Sequence, residues 1–331
     1  MLRACAPLCD TFCLQRHNLR SKEEDVSVFG GGILLATDGS PEAQRALALA
    51  ARLSEKLGAE LHLVSVEPMP DPLSWPEARL MSPEFREDIR ERAEDAAREL
   101  VEGQAEKVAE MGLEVFELHA VAGRPDTEIV RVAEEVGAGL VVLGSRGMGL
   151  VRRAVMGSVS RSVVHHSHSS VLVVRGEGGD FPGPILLADD GSEQARVAAE
   201  AAAEISASTG SGLHVLFVMP TAQHLYGHHY YSRELQESIR KQAEDEVGKF
   251  LGEQAGWLEE HGGKVADTHM AVGRPDAQIV RLAEELGAGL TVVGSRGLGG
   301  IRRALIGSVS DSVASHAHGP VLVVRRQEQG A

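Results

Sequence analysis

A glycine-spaced segment occurs twice in this chain, and its spacing is suited to binding a phosphate group. It reads GSRGMGLVRRAVMGSVS at Gly144–Ser160 and GSRGLGGIRRALIGSVS at Gly294–Ser310, so both copies follow the pattern G-x2-G-x9-G-S. Each copy follows a short apolar run, Leu140–Leu143 or Leu290–Val293, and precedes a helical pattern. Glycine lets a backbone approach a phosphate closely, and a helix start offers free N–H groups to an anion. The sequence therefore predicts two nucleotide sites.

The repeat extends well beyond the glycines. A shift of 150 positions aligns residues 121–175 with 271–325, and 36 of these 55 positions are identical. Farther upstream the shift is 152, because ILLATDGS at Ile33–Ser40 matches ILLADDGS at Ile185–Ser192. The change of shift falls between residues 68 and 84, which we expect to be a surface loop. A repeat this long indicates a duplicated domain rather than a solenoid.

The length of 331 residues suits two domains of ordinary size. We expect a first domain at residues 30–177, a linker at 178–184 and a second domain at 185–327. Residues 1–29 have no counterpart in the second copy and lack the apolar core of a signal peptide. We expect this tail to be disordered, or to lie upstream of the true start codon.

Within each copy, apolar runs alternate with helical patterns. Ile33–Ala36 is a continuous apolar run of the buried parallel type, and the helix predicted at Glu42–Leu57 stops at Gly58. Further strands are predicted at Leu61–Val66, Val115–Ala120, Leu140–Leu143 and Val171–Val174, and further helices at Glu84–Met111 and Asp126–Val136. Strands separated by helices pair in parallel through right-handed crossovers, which predicts a doubly wound α/β domain.

Composition excludes several classes of protein. With 33 basic and 48 acidic side chains the formal charge is −15, which argues against a nucleic-acid surface but not against one bound ATP. No apolar stretch approaches the roughly 20 residues that span a bilayer. The three cysteines, Cys5, Cys9 and Cys13, all lie in the tail, so a disulfide scaffold is excluded and we expect a soluble, cytoplasmic protein. A metal or redox role for them, or a plain flexible tail, stays open.

Taken together, the motifs resemble those of the universal stress protein family in its tandem form. They are ILLATDGS in the first strand, GRPD before the third helix, VVLGSRGMG at the fourth strand, and the glycine pattern that ends before VLVVR. The resemblance covers about Gly31–Arg175 and Gly183–Arg325. The glycine pattern resembles that of the family's ATP-binding branch.

The resemblance implies a fold for each copy. We expect two tandem doubly wound α/β domains of the adenine nucleotide alpha hydrolase-like type, each a five-stranded parallel sheet of order 3-2-1-4-5 with about four helices. Ligands of such sheets bind in the crevice where the strand order reverses. In the family the fifth strands pair across a dimer interface. We therefore expect an intrachain pseudo-dimer through Val171–Arg175 and Val321–Arg325, and homodimerisation stays open.

The resemblance also implies the ligand, ATP with or without Mg²⁺, and the residues that hold it. Residues after the first strand hold adenine and ribose, the end of the second strand lines the base, and the glycine loop carries the phosphates. In the first copy these residues are Ala36, Thr37, Asp38, Val66, Gly144, Gly147, Gly157, Ser158, Val159 and Ser160. In the second copy they are Ala188, Asp189, Asp190, Val218, Gly294, Gly297, Gly307, Ser308, Val309 and Ser310.

Part of this assignment also follows from the residue types. Ser158 and Ser160 lie where the fourth helix begins, so their hydroxyls and the first-turn N–H groups are expected to face one point. Asp38 accepts hydrogen bonds but cannot donate one to a phosphate, so we place it at the nucleoside end. Structural interpretations remain for each position: Gly144 and Gly157 as turn glycines, Ser158 as an N-cap, and Asp38 as a cap or Asx-turn residue.

The second copy carries Asp189 where the first carries Thr37, beside Asp190. Two adjacent carboxylates repel a polyanion, and Asp cannot donate the hydrogen bond that Thr donates, so we expect weaker ATP binding in the second copy. The alternative is that Asp189 points into solvent and changes nothing.

Charged and imidazole side chains near the glycine loops have open roles. Phosphate contact or a solvated helix face is considered for Arg146, Arg152, Arg153, Arg296, Arg302 and Arg303, and for the paired arginines we favour the solvated face. A zinc site or solvent exposure is considered for His166, His168, His316, His318, His224, His228 and His229, and we favour exposure.

Missing motifs bear on mechanism. The chain has no G-x4-G-K-[ST] sequence, no evident Ser-His-Asp pattern and no cysteine in either domain. We therefore expect no enzyme, or at most weak ATP hydrolysis, and favour a stress-response regulator whose nucleotide occupancy changes binding to an unidentified protein partner. The alternatives are a slow ATPase or nucleotidyl-transfer enzyme on the same fold, and an interaction or chaperone-like module with vestigial sites.

Overall fold

The computed structural model describes residues 28–69, 81–147, 156–176, 183–219, 233–298 and 306–326. Its strands are β1 (Ile33–Ala36), β2 (Leu61–Pro68), β3 (Glu117–Gly123), β4 (Leu140–Gly144), β5 (Ser170–Val174), β6 (Ile185–Ala188), β7 (Gly212–Met219), β8 (Lys264–Val272), β9 (Leu290–Gly294) and β10 (Val321–Val324). Its helices are α1 (Pro41–Leu57), α2 (Pro83–Glu110), α3 (Pro125–Glu135), α4 (Ser158–His166), α5 (Glu193–Thr209), α6 (Arg233–Glu260), α7 (Pro275–Leu286) and α8 (Ser308–His316).

All ten of these strands form one sheet. Its order is β3-β2-β1-β4-β5-β10-β9-β6-β7-β8, so each half has the predicted order 3-2-1-4-5. Within each half every pairing is parallel. The predicted doubly wound α/β fold is confirmed in both copies.

The start of the first copy shows how local sequence sets the elements. All four residues of β1 are buried, as expected for a central parallel strand. Ser40 precedes α1 and its side chain accepts a hydrogen bond from the Ala43 N–H, while Pro41 occupies the first turn. Gly58 ends the helix with a φ of 63°, a left-handed conformation that favours glycine. Both elements lie within one residue of their predicted bounds.

The third strand departs from its prediction. We expected it at residues 115–120, but β3 runs from Glu117 to Gly123 and pairs only with β2 in the part of the chain that is described. It is an edge strand without a fully buried residue, so its apolar residues do not mark its limits. Pro125 in the first turn of α3 sets the limit instead, because a proline suits a helix start.

Two apolar cores cover the two faces of the sheet. One contains Ile33 and Leu35 with residues of α1, α2, α5 and α6. The other contains Leu34 with residues of α3, α4, α7 and α8. Each of the two cores contains residues of both copies, so the apolar packing on each face of the sheet continues from one copy to the other.

The two copies join through their fifth strands. β5 and β10 pair antiparallel with Leu172 opposite Leu322, and every residue of both strands is buried. An unpaired apolar edge would be a site for aggregation. The predicted intrachain pairing of residues 171–174 with 321–324 is confirmed.

Two buried arginines reinforce this junction reciprocally. Arg175, just after β5, donates hydrogen bonds to the carbonyl oxygens of Ala314, Ser315 and Ala317 at the end of α8, at 2.6, 2.9 and 2.7 Å. Arg325, just after β10, donates to carbonyl oxygens near the end of α4 in the same way. The last carbonyls of a helix lack partners within it, and the negative end of its dipole favours a cation. Each copy therefore caps the last helix of the other.

The predicted tail boundary needs a correction. Phe29 was assigned to the tail, but its side chain is only 1% exposed and belongs to the core on the α1 face. The neighbouring Val28 N–H donates to the Glu204 carboxylate of α5. The folded region therefore begins at least two residues earlier than predicted, because an apolar side chain there completes the core.

Several predicted segments lie wholly or largely outside the described residues. They are residues 1–27 of the tail, the loop at 70–80 and residues 178–182 of the linker. None of the helices in the described ranges has both the length and the apolar character needed to cross a membrane.

The reciprocal capping predicts the effect of one substitution. Arg175→Ala should lower the free energy of unfolding by about 2–4 kcal/mol, because it leaves buried carbonyl oxygens without their charged donor. Urea unfolding of both proteins measures the difference. Arg161→Ala is the control: it also removes a contact between the copies, but its side chain is 53% exposed in an ion pair with Asp311. That change should cost less than about 1 kcal/mol. Equal losses for the two variants would contradict the capping role.

Candidate functional site

The crevice predicted from the strand order lies between β1 and β4. These strands pair in parallel with Ala36 opposite Leu143, so their carboxyl ends emerge side by side. The carboxylate of Asp38 then reaches the glycine loop, where a side chain at Gly147 would clash with Asp38 Oδ2. The second copy repeats this contact between Asp190 and Gly297. In each copy, one residue predicted for the nucleoside therefore lies beside one predicted for the phosphates.

The glycine loop is closed at its base. Ser160 Oγ donates to the Gly144 carbonyl oxygen at 2.7 Å, and the Gly157 N–H donates to the Ser145 carbonyl oxygen at 2.8 Å. The second copy has the same two bonds, from Ser310 to Gly294 and from Gly307 to Ser295. Residues 148–155 and 299–305, which complete the loops, lie outside the described residues.

The amino end of α4 opens onto this loop without a side-chain cap. Its N-cap is Gly157, which makes no side-chain hydrogen bond, so the N-cap interpretation of Ser158 is wrong. Ser158 is exposed in the first turn, while Ser160 is 4% exposed and already bonded to Gly144. The two hydroxyl groups therefore do not both face one point, because that of Ser160 is already bonded to Gly144. The first-turn N–H groups, which have no partner within the helix, are the main donors that this helix end offers to an anion.

Gly144 has a packing role in addition to its predicted one. A Cβ built on it would lie 2.9 Å from backbone and side-chain carbons of Glu42, in the first turn of α1. Gly294 meets Gln194 in the same way, at 2.8 Å. Close approach of helix and strand is thus enough to require glycine at these two positions.

Polar residues after β1 and β6 form the turns into α1 and α5. Asp38 Oδ1 accepts from the Ser40 N–H at 3.1 Å, and Asp190 Oδ1 accepts from the Ser192 N–H at 3.0 Å. This is the Asx-type bond considered from the sequence. Because the second carboxylate oxygen faces Gly147 or Gly297, the turn bond does not remove Asp38 or Asp190 from the crevice.

The apolar residues predicted for the two sites, for the base, the nucleoside or the phosphates, are partly or fully buried. Ala36 is 7% exposed and Ala188 is half-buried, each at the last position of its strand. Val66 and Val218 are half-buried toward the ends of β2 and β7 and pack against the core on the α4 and α8 face. Val159 and Val309 are half-buried residues of α4 and α8 on the same face.

Asp189 is buried, which excludes the alternative that it points into solvent. It is 4% exposed, like its counterpart Thr37 at 6%, and its Oδ1 accepts from the Gly191 N–H at 2.8 Å. Burial raises the pKa of Asp189 to about 7, the hydrogen bond from Gly191 opposes this, and the charge of Asp190 adds to it. The second crevice therefore contains a buried carboxyl group that titrates near neutral pH, at the position that Thr37 occupies in the first.

The guanidinium groups of Arg146, after β4, and Arg175, after β5, interact electrostatically. Burial lowers the pKa of Arg175 to about 10 and the charge of Arg146 adds to this shift, so Arg175 is cationic at neutral pH. Arg296 and Arg325 form the same pair in the second copy. Each copy therefore has two arginine side chains just after the carboxyl ends of its fourth and fifth strands. The paired arginines considered from the sequence, Arg152, Arg153, Arg302 and Arg303, lie outside the described residues.

The histidines considered from the sequence are dispersed. His166 and His316 each contact their own helix through a backbone carbonyl, while His168 and His318 are exposed beside a glutamate. His224, His228 and His229 lie outside the described residues.

Sequence reasoning missed a different group of His and Glu residues, His62, Glu117 and His119 on β2 and β3. Its members are far apart in the chain. The signal that could have found it is the recurrence of His, acid and His at positions 214, 267 and 269 of the second copy.

The sequence is similar to that of a known protein family along most of its length. The sequence model of the universal stress protein family matches residues 32–175 and 183–325. A universal stress protein of Mycolicibacterium smegmatis is 32% identical over 302 residues, which cover 89% of this chain and 97% of that protein. A universal stress protein of Mycobacterium tuberculosis is 30% identical over 311 residues, 89% of this chain and 95% of that protein.

A solved structure gives the same result at the level of the fold. The crystal structure of a universal stress protein from Archaeoglobus fulgidus covers 91% of this chain and 98% of its own, with a TM-score of 0.61 and 23% identity. At this identity the likeness concerns the fold alone.

The burial of Asp189 predicts a pH-dependent effect on stability. Its pKa is about 7 in the folded protein and about 3.9 in an unfolded chain, so between these values only the folded state holds the proton. Its contribution to stability therefore falls as the pH rises from 4 to 7, and the full penalty is present above pH 7. Asp189→Asn should raise the free energy of unfolding at pH 8 by at most about 4 kcal/mol, and far less at pH 4.5.

Urea unfolding at both pH values measures this difference. Asp245→Asn, which removes an exposed carboxylate of α6, is the control and should change stability by less than about 0.5 kcal/mol at either pH. An Asp189→Asn effect of the same size at pH 4.5 and pH 8 would show that the carboxyl group does not titrate as described.

Proposed function

Since this chain belongs to the universal stress protein family, we propose that each copy binds ATP in its crevice and that nucleotide occupancy is the signal it transmits. The observation that carries the proposal is the closed glycine loop, which leads in both copies into a helix whose amino end has no side-chain cap. A loop of this kind suits a phosphate chain, because free N–H groups and the positive helix end both favour an anion. The net charge of −15 is then a remote field that these local donors outweigh.

Three further features support phosphate binding in the first copy. The Gly157 backbone makes a bond to Ser145 that holds the helix start against the strand end. The buried hydroxyl of Ser145 has no hydrogen-bond partner within the described residues, so a polar atom beside the loop is available to a ligand. Arg146 adds a positive charge close by. The phosphate chain of ATP, with or without Mg²⁺, is a ligand that suits this combination of features.

The nucleoside would lie at the other side of the crevice. Asp38 accepts hydrogen bonds and suits ribose hydroxyls or the adenine amine, while Ala36 and Val66 offer apolar surface to the base. A carboxylate beside Gly147 would repel a phosphate, so in this proposal the phosphates lie farther along the loop, toward Gly157.

Helix α4 connects the proposed nucleotide site to the junction between the copies. The amino end of α4 borders the proposed phosphate site, and its carboxyl end is capped by Arg325 of the other copy. Asp311 of α8 also accepts from Arg161 and contacts His165, both on α4. A shift of this nine-residue helix on binding would therefore reach the partner copy. We propose that a cytoplasmic protein partner reads this change, and that ATP is turned over slowly or not at all.

The glycine loop can be tested with one charged side chain. Gly157 has a φ of −65°, which any residue can adopt, and a Cβ there would lie 3.3 Å from the Ser145 carbonyl oxygen, so Gly157→Glu requires a backbone shift of a few tenths of an ångström. The new carboxylate would occupy the phosphate position, and ATP binding in the first copy should be lost. Calorimetric titration should then show one ATP per chain instead of two, and heating should release correspondingly less co-purified nucleotide, identified by mass.

Two variants serve as controls. Gly103→Glu adds the same charge on α2, where a Cβ would have open space, and should leave two sites. Gly307→Glu should remove the second site and spare the first. Two ATP molecules bound to Gly157→Glu would show that the glycine loop is not the phosphate site.

The two sites should differ in affinity. The buried carboxyl group of Asp189 is expected to weaken ATP binding to the second copy by about fivefold to tenfold at pH 8, on the order of 1 kcal/mol. Asp189→Thr should remove the difference. Lowering the pH to 6 should narrow it in the unaltered protein, because protonation removes the charge.

Titration of ATP into Gly157→Glu and Gly307→Glu isolates each site within the full chain. A second site that Asp189→Thr does not strengthen, or two equal affinities at pH 8, would show that this carboxyl group does not set the difference.

A further inference from the structure

A group of three potential metal ligands lies at the outer edge of the first copy. His62 of β2 is opposite Glu117 of the edge strand β3, and His119 follows two residues later, so the three side chains share one face of the sheet. His62 Nδ1 is 3.5 Å from His119 Nε2 and 3.8 Å from Glu117 Oε2, and His119 Nε2 is 3.7 Å from Glu117 Oε2. Within the described residues, no other three His, Cys, Asp or Glu side chains bring their ligand atoms within 4.8 Å of one another.

These spacings suit a metal ion better than direct hydrogen bonds. Neutral imidazoles bond well at about 2.9 Å, and a carboxylate more than 3.5 Å from both rings bonds to neither. A tetrahedral ion with Zn–N and Zn–O bonds of about 2.1 Å holds its ligand atoms about 3.4 Å apart, so the three edges need to shorten by at most about 0.4 Å to bind it. We propose that His62, Glu117 and His119 bind one Zn²⁺ ion, with water as the fourth ligand.

The surroundings of His62 support this assignment. Its side chain is 4% exposed, and its other ring nitrogen, Nε2, lies 3.9 Å from the Glu60 carboxylate. At 3.9 Å this carboxylate is not hydrogen-bonded to the ring, but Glu60 is 59% exposed, and a short movement of its side chain would form the bond that commonly orients a metal-binding histidine. Glu117, at 56% exposed, leaves the position open to an ion and water from solvent.

The second copy is an internal comparison. His214 and His269 occupy the positions of His62 and His119, but their nitrogens are 3.0 Å apart, a direct hydrogen bond. The acid there is Asp267, one methylene shorter than Glu117, and it accepts from the Thr268 N–H. Gly212 stands in place of Glu60, and the strand register shifts between Leu213 and His214. The histidine pair of the second copy is therefore directly hydrogen-bonded where Glu60 is replaced by Gly212 and Glu117 by the shorter Asp267, and the proposed site is confined to the first copy.

The zinc site is separate from the nucleotide crevice and does not depend on it. His62 lies near the amino end of β2, and Val66, predicted to line the base, lies four residues farther along. At roughly 3.3 Å per residue this places the two sites about 13 Å apart. A bound ion would join the edge strand β3 to β2, where the pairing of the first copy ends.

Zinc binding by the full chain tests the proposal. After removal of metal with a chelator, the protein is titrated with Zn²⁺ against a competing dye, and the number and affinity of sites are compared with those of variants. Glu117→Gln and His119→Ala should each lose one site, or weaken it more than about 100-fold. His269→Ala, the matched change in the second copy, should leave that site unaltered. Cysteine or other histidine sites elsewhere in the chain would be common to all variants and cancel in the comparison.

Two measurements keep the result interpretable. Glu117→Gln preserves the shape of an exposed side chain, so its thermal midpoint without metal should match that of the unaltered protein even where His119→Ala is less stable. Co²⁺ in this site should give the visible spectrum of a tetrahedral ion that is lost in Glu117→Gln. Unchanged zinc stoichiometry and affinity in Glu117→Gln, or an equal loss in His269→Ala, would overturn the proposal.

Discussion

The antiparallel pairing of β5 with β10 is the contact on which the rest of the structure depends. It joins two five-stranded sheets into one and covers two apolar edges that would otherwise be exposed. It also brings Arg175 and Arg325 to the ends of the partner's last helices, where buried guanidinium groups complete the carbonyl hydrogen bonding. Since Ser145 of the glycine loop donates to Val174 of β5, the junction lies one strand from the proposed phosphate site. The arrangement of each crevice is therefore tied to the partner copy.

Much of this architecture could be predicted from local sequence. The apolar run of β1, the Ser40–Pro41 helix start and the stop at Gly58 depend on neighbours a few residues apart, so their signals are complete in a short window. The strand order, and with it the crevice between the first and fourth strands, was implied by the resemblance to the universal stress protein family. The resemblance also implied the fifth-strand pairing, and the recurrence of the apolar VLVVR at both sheet edges supported it.

What the sequence left undetermined depends on distant contacts. The limits of β3 are set by pairing with β2 and by Pro125 rather than by its own apolar residues. The burial of Asp189 could not be read from a strand end, where alternate side chains face opposite sides. The approach of His119 to His62 needs the register of two strands joined by a long helical connection. In each case the missing information is which backbone lies alongside, not which residue is present.

The two copies combine a symmetric frame with unequal sites, and the frame explains why. At the junction, Arg175 matches Arg325 and β5 matches β10, because each copy caps and pairs with the other, although Arg161 faces its own counterpart Asp311. Residues at a crevice or an outer edge face no such partner and are free to differ. Thr37 against Asp189, and Glu60 against Gly212, are differences of this kind. A duplicated domain held together in this way can therefore keep one fold while its two halves differ in their response to pH. The buried carboxyl group of Asp189, whose pKa is about 7, is present in the second crevice and replaced by Thr37 in the first.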